Sequence, residues 1–191
     1  MLVQAADIAC ALSVEALLGT DRPYDERVQV IRPHPGQLVS AANLRARQVI
    51  TIELGAIVDN PVIVPDGEVT AASLVSENNV LARPASVDTI PTSGKQEDHV
   101  SMGWTAVRKL REVVANVRAC LAVEICCAAQ GIDLRESVAQ PSVPLRGVHD
   151  LVRSAVPRID IDREVAPQLA AVDTLLPQIC EVAAQGCPSF R

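Results

Sequence analysis

Lys95-Gln96-Glu97-Asp98-His99 gathers an ammonium, an amide, two carboxylates and an imidazole within five positions. Those groups suffice for proton transfer near neutral pH and for holding a charged small molecule. The helical pattern that follows predicts Glu97 in the first turn of a long helix, where the peptide dipoles favour an anion. An ordinary helix start shows the same acid preference, so position alone does not separate catalysis from capping. Lys95 carries a flexible ammonium that could pair with Glu97 or bind an anionic substrate. His99 is two residues beyond Glu97, so on a helix the two point well apart. It reads either as an acid/base group or as a hydrogen-bonded structural histidine.

Glu15, Glu53 and Glu124 each sit inside an aliphatic stretch. A carboxylate buried there needs a partner or takes up a proton, because desolvation disfavours its charge. Such a group could serve as a general acid, or it could simply be hydrogen-bonded in the packing. Arg83 is a candidate partner, or a residue lining a pocket. His34, between Pro33 and Pro35, reads as a turn residue. The six cysteines are Cys10, Cys120, Cys126, Cys127, Cys180 and Cys187, with no Cys-x-x-Cys pair, and they read as structural thiols. No metal site, phosphate loop or dinucleotide fingerprint is recognisable, and no cofactor is expected.

The elements that must position these residues are helices. Residues 2–19 are rich in Ala and Leu at helical spacing, with Gly19 as a C-cap. A second helix is expected from the Arg32-Pro33-His34-Pro35 turn through Arg47, continuing toward Glu53. Asp59-Asn60-Pro61 breaks the pattern, and 62–69 reads as a short extended segment ending in an Asp-Gly turn. A helix over 70–82 is closed by Arg83-Pro84. Val100, Val107, Leu110, Val114, Val117, Leu121 and Ala128 recur at steps of three, four or seven from Glu97 to Gly131. They predict one long central helix of about 35 residues and roughly 50 Å, buried by several neighbours. Helices near 144–156 and 164–184 follow, with Asp162 as a cap. The expectation is an all-α helical bundle, one domain over 1–191. Its core is aliphatic, since Tyr24, Trp104 and Phe190 are the only aromatics.

A net charge of −6 without a basic stripe argues against nucleic acid. No apolar run approaches the roughly 20 residues of a membrane span. The opening residues lack the basic start of a signal peptide, which points to the cytoplasm.

Ala11 through Thr20, followed by Arg32-Pro33-His34-Pro35-Gly36-Gln37, resembles a central stretch of the histidine ammonia-lyases. Glu53-Leu54 with Asp59-Asn60-Pro61, Ser76-Glu77-Asn78, and Pro84 through Ser93 running into Gln96 through Met102 extend the resemblance in the family's order. Glu124 through Arg135 is similar to the end of the family's long helix. The resemblance implies the all-α ammonia-lyase fold and an ancestral elimination of ammonia. It also implies a pocket role for Glu97 facing a substrate amine, with Gln96, Asn78 and Arg83 as substrate-binding neighbours. Lys95 stands where the family usually has Asn, and Arg83 where it has His.

The family's electrophile, a methylidene-imidazolone ring, forms from Ala-Ser-Gly, which does not occur in these 191 residues. Thr92-Ser93-Gly94 aligns with a segment that never forms the ring. A tyrosine loop is expected to be missing between Arg47 and Glu53, and a larger helical block between Glu68 and Thr70. Two functions follow as expectations. One is a repurposed enzyme acting by proximity and acid/base catalysis (cyclisation, Michael-type addition or isomerisation) in specialised metabolism. In it Glu97, His99 and Lys95 are the catalytic candidates, the partner is a small molecule, and the chain forms a homo-oligomer. The other is a non-catalytic partner or regulatory subunit of a complementary lyase chain.

Overall fold

A computed structural model describes residues 1–17, 19, 22–31, 33–47, 65–87, 90–97, 101–134, 141–161 and 163–186. Its helices are α1 (Leu2–Ala16), α2 (Glu26–Gln29), α3 (Pro35–Arg47), α4 (Pro65–Leu81), α5 (Gly103–Leu134), α6 (Val143–Ala155) and α7 (Ala166–Gly186). Short 3-10 turns occupy Arg22–Tyr24 and Ser93–Lys95, and among the described residues there is no strand, only a bridge between Thr92 and Glu97. The all-α expectation holds.

Local chemistry explains several helix starts. Pro35 and Pro65 are the first residues of α3 and α4, where a fixed φ and a missing N–H carry no penalty. Asp25 caps α2 by accepting from Arg27 N at 2.9 Å. Beyond the last turn of α1, Gly19 N–H returns to Val14 O at 2.7 Å.

The core lies where α1, the C-terminal half of α5, α6 and α7 meet, with α3 laid against α1. Ile8 and Leu12 from α1, Ile125 from α5, Leu145, Val148 and Val152 from α6, and Leu176 and Ile179 from α7 are fully buried. Each buried Leu or Ile contributes about 1.5–3 kcal/mol relative to exposure. Alanines fill the remaining seams: Ala5, Ala9, Ala122, Ala129 and Ala183. Small residues let the axes approach closely. At Gly131 a Cβ would lie 3.0 Å from the Cβ of Ala16.

Three expectations need correction. Residues 65–69 are helical, not extended: Pro65 suits the first position of a helix, and α4 runs from it through the Asp-Gly pair. Residues 62–64 lie outside the described residues, as do the stretch from Arg47 toward Glu53, Glu53 itself, Asp59-Asn60-Pro61 and Asp162. The long helix begins at Gly103 rather than Glu97, because a left-handed turn at Ser93–Lys95 and the Thr92–Glu97 bridge intervene.

The third concerns the apolar stripe of α5, which is covered over only half its length. Leu121 and Ala128 are buried and Val117 half-buried, but Val107, Val114 and Leu110 are exposed, Leu110 by 59%. Val100 lies outside the described residues. The reason is length. At about 1.5 Å per residue the 32 residues of α5 reach about 48 Å, and the 15, 13 and 21 residues of α1, α6 and α7 are too short to follow. The N-terminal half of α5 therefore projects as an arm, flanked along its length by α4. No helix among the described residues is long and apolar enough to cross a membrane.

Candidate functional site

The described candidate residues lie on α4 and on the connection from α4 to α5. α4 and α5 are joined by residues 82–102, and in that connection Thr92–Glu97 closes on itself. Thr92 N donates to Glu97 O at 3.0 Å, and Glu97 N returns to Thr92 O at 3.3 Å. Thr92 O also accepts from Lys95 N at 3.0 Å and Gln96 N at 3.2 Å. This closure places Ser93, Gly94 and Lys95 at φ values of 52°, 65° and 72°. Only Gly94 adopts that region freely. Ser93 and Lys95 are held there at a cost of about 1–2 kcal/mol each.

The closure also brings the Thr92 hydroxyl to donate to Glu97 Oε2 at 3.1 Å. Glu97, Gln96 and Lys95 are all exposed on this turn. The arrangement offers a carboxylate oriented by a hydroxyl, with an ammonium two residues away. It can accept a proton or pair with a cation. It does not by itself exclude water.

Asn78 and Arg83 are tied to α5 rather than to the turn. Asn116 Nδ2 donates to Glu77 Oε2 at 2.9 Å and to Asn78 Oδ1 at 3.0 Å. Lys109 Nζ donates to the carbonyl of Arg83, setting a cation at the C-terminal end of α4, where the helix dipole favours it. The structure thus places Lys95, Gln96 and Glu97 together and fastens Asn78 and Arg83 to the neighbouring helix. His99 lies outside the described residues.

A second polar group escaped the sequence reading. Asp133 on α5 meets His149 and Arg153 on α6: His149 Nε2 lies 2.6 Å from Asp133 Oδ1, and Arg153 Nε 2.6 Å from Asp133 Oδ2. The His149 contact is hydrogen-bonded, whereas the Arg153 contact is a close ion pair off the hydrogen-bond axis. His149 Nδ1 also stands 3.7 Å from Asp150 Oδ1. Beside them Gln130 donates to Ile159 O at 2.8 Å and accepts from Ile159 N at 3.0 Å. The signal in the sequence was polar residues three or four apart on each helix: Gln130 with Asp133, and His149 with Arg153.

Two of the three aliphatic-context glutamates are described. Glu15 is buried and accepts from Ser142 N at 3.0 Å, joining α1 to the start of α6. Glu124 accepts from Ser13 Oγ at 3.1 Å. Both are engaged in packing. Cys10, Cys120, Cys126, Cys127 and Cys180 form no disulfide with one another. Burial, and then the neighbouring Cys127, push the Cys126 thiol up to about 12, far from a reactive thiolate. No group of three or more His, Cys, Asp or Glu among the described residues is placed to hold a metal ion.

The sequence model described as aromatic amino acid lyase matches residues 1–47 and 66–154. The chain belongs to that family. Histidine ammonia-lyase of Sorangium cellulosum (strain So ce56) is 31% identical over 293 residues, taking in 96% of this chain and 57% of that protein. The enzyme of Streptomyces coelicolor is 32% identical, over 92% of this chain and 55% of its own length. Histidine ammonia-lyase from Trypanosoma cruzi superposes with a TM-score of 0.85 at 26% identity, over 98% of this chain and 55% of that one. Tyrosine aminomutase from Streptomyces globisporus shares the fold, with a TM-score of 0.78 at 20% identity.

The chain spans little more than half the length of these relatives. An aligned span of 293 residues against a chain of 191 leaves a large block of the relative without counterpart here. The family match breaks at 48–65, adjoining the first expected deletion, while the second, between Glu68 and Thr70, falls inside the matched stretch 66–154.

Proposed function

We propose that this chain is a lyase-family enzyme acting without the methylidene-imidazolone ring. It works by proximity and acid/base catalysis on a small unsaturated acid, in a cyclisation, Michael-type addition or isomerisation of specialised metabolism. It operates as one helical unit of a cytoplasmic homo-oligomer. The observation that supports this reading is the closed Thr92–Glu97 turn, in which a backbone bridge and the Thr92 hydroxyl orient the Glu97 carboxylate two residues along the chain from Lys95. Glu97 takes the substrate proton, His99 is the second acid/base group, and Lys95 holds a substrate carboxylate. Gln96, Asn78 and Arg83 supply hydrogen bonds. Because the turn is exposed, a neighbouring copy is needed to shut out water and sharpen these charges.

The test is turnover of conjugated acids by the wild type and by Glu97→Gln. A positioned general base contributes about 10²–10⁴-fold, so the variant should lose activity on that scale. Unchanged turnover removes Glu97 from the mechanism.

The bare stripe of α5 favours a second reading, a non-catalytic subunit that docks on a complementary lyase chain. Native mass separates the two. A defined homo-oligomer of the purified chain supports the enzyme. A chain that aggregates alone, and forms a defined complex only with a second lyase-family chain, supports the subunit.

A further inference from the structure

Pro177 lies inside α7. In an unbroken α-helix the N–H at that position would bond the carbonyl of Asp173. Proline has no N–H, so this carbonyl loses its ladder partner in mid-helix. A polar backbone group left without a partner is costly, and one is supplied from another helix. Arg118 on α5 donates from Nη2 to Asp173 O at 2.8 Å and from Nε to Asp173 Oδ1 at 2.8 Å.

One planar guanidinium thus grips the orphaned carbonyl and the side chain of the same residue, a geometry that an ammonium cannot reproduce. The side chains of Arg118 and Asp173 are 26% and 36% exposed, so their charge attraction alone stabilises little. The bond to the backbone carbonyl sets the contact apart.

Its position matters. Arg118 stands at the root of the arm, three residues before Leu121, where α5 enters the core. Two residues earlier Asn116 holds Glu77 and Asn78 of α4. Past Pro177, Ile179, Cys180 and Ala183 are buried, and Cys180 Sγ donates to Met1 O at 3.8 Å.

We propose that α7 contains a hinge at Pro177 and that Arg118 is its pin. The guanidinium replaces the missing amide and holds the turn that precedes Pro177 against α5. Releasing it loosens α7 on either side of Pro177 without unfolding the rest.

The experiment is hydrogen–deuterium exchange on the whole chain, comparing wild type, Arg118→Met, Arg118→Lys, Pro177→Ala and the Arg118→Met/Pro177→Ala double variant. Arg118→Met should speed exchange of amides 174–176 and 178–181 about tenfold while amides 5–12 of α1 hold their wild-type rates. Arg118→Lys should fall between. In the Pro177→Ala background, where the ladder bond is restored, the same Arg118 substitution should change those rates less than about threefold. Equal acceleration in both backgrounds, or none in either, overturns the pin. If Arg118→Met does not fold, Arg118→Lys in the two backgrounds gives the same comparison: an equal response overturns the proposal and a suppressed one supports it.

Discussion

Gln130 offers a sharp test of how the lower half of the bundle is held. Its side chain is 1% exposed and forms two hydrogen bonds with one backbone residue, donating to Ile159 O at 2.8 Å and accepting from Ile159 N at 3.0 Å. The amide thus fastens the α6–α7 connection to α5 as a strand partner would. Gln130→Leu keeps the volume and removes both bonds, together with the longer 3.5 Å bond that Gln130 Oε1 accepts from Arg153 Nη2. Two neutral hydrogen bonds contribute about 1–3 kcal/mol net, toward the upper figure when their partners are shielded from water. The added apolar surface returns at most about 1 kcal/mol. A net loss of about 2 kcal/mol follows, which for a chain of this size lowers Tm by about 4–8 °C. Urea denaturation followed by far-UV circular dichroism measures the first quantity, and exchange of the Ile159 amide locates it. A variant within about 0.5 kcal/mol of wild type, or an Ile159 amide that exchanges no faster, refutes the reasoning.

Gly131→Ala should destabilise, because the added Cβ meets Ala16 at 3.0 Å. Overpacking costs about 1–3 kcal/mol against a helix-propensity gain of about 1 kcal/mol, so a more stable variant in the urea assay would show that α1 and α5 can separate freely. Cys126 predicts an alkaline effect of definite sign. Its thiol is raised from 9.0 to about 12, so between those values the folded chain keeps a proton that the unfolded chain has lost. Stability from this group is complete below pH 9 and falls as pH rises toward 12. Tyr24, raised to about 12 by burial and by its bond with Cys10, steepens the same decline. The urea midpoint of Cys126→Ala should therefore fall less from about pH 8 to about pH 10.5 than that of wild type. Parallel profiles would count against a buried thiol.

The helices were legible because each carries its own local signal: the apolar spacing of α5, Pro35 at the head of α3, and Arg83-Pro84 after α4. Periodicity names the residues on one face, but not where the covering elements run out. Val107, Leu110 and Val114 obey the same spacing as Leu121 and Ala128, and only the lengths of α1, α6 and α7 distinguish them. The apolar spacing that follows Glu97 puts it at a helix start. What displaced it is a backbone bridge with left-handed residues on both sides of Gly94, and composition does not announce such a bridge. The spacing of Gln130 with Asp133 and of His149 with Arg153 marks a polar face on each helix, but that the two faces meet depends on how α5 packs against α6.

The placement of Trp104 has a practical consequence. It is the chain's one tryptophan, and it stands 77% exposed near the start of the arm, far along α5 from the packed alanines and leucines. Intrinsic emission excited at the indole band therefore reports on the arm and is nearly blind to melting of the core. A blue shift on raising the protein concentration or adding a second chain would signal that the arm has been covered, with no label attached. Spectroscopists accustomed to reading global unfolding from tryptophan would, with this protein, be watching a surface being wetted or dried.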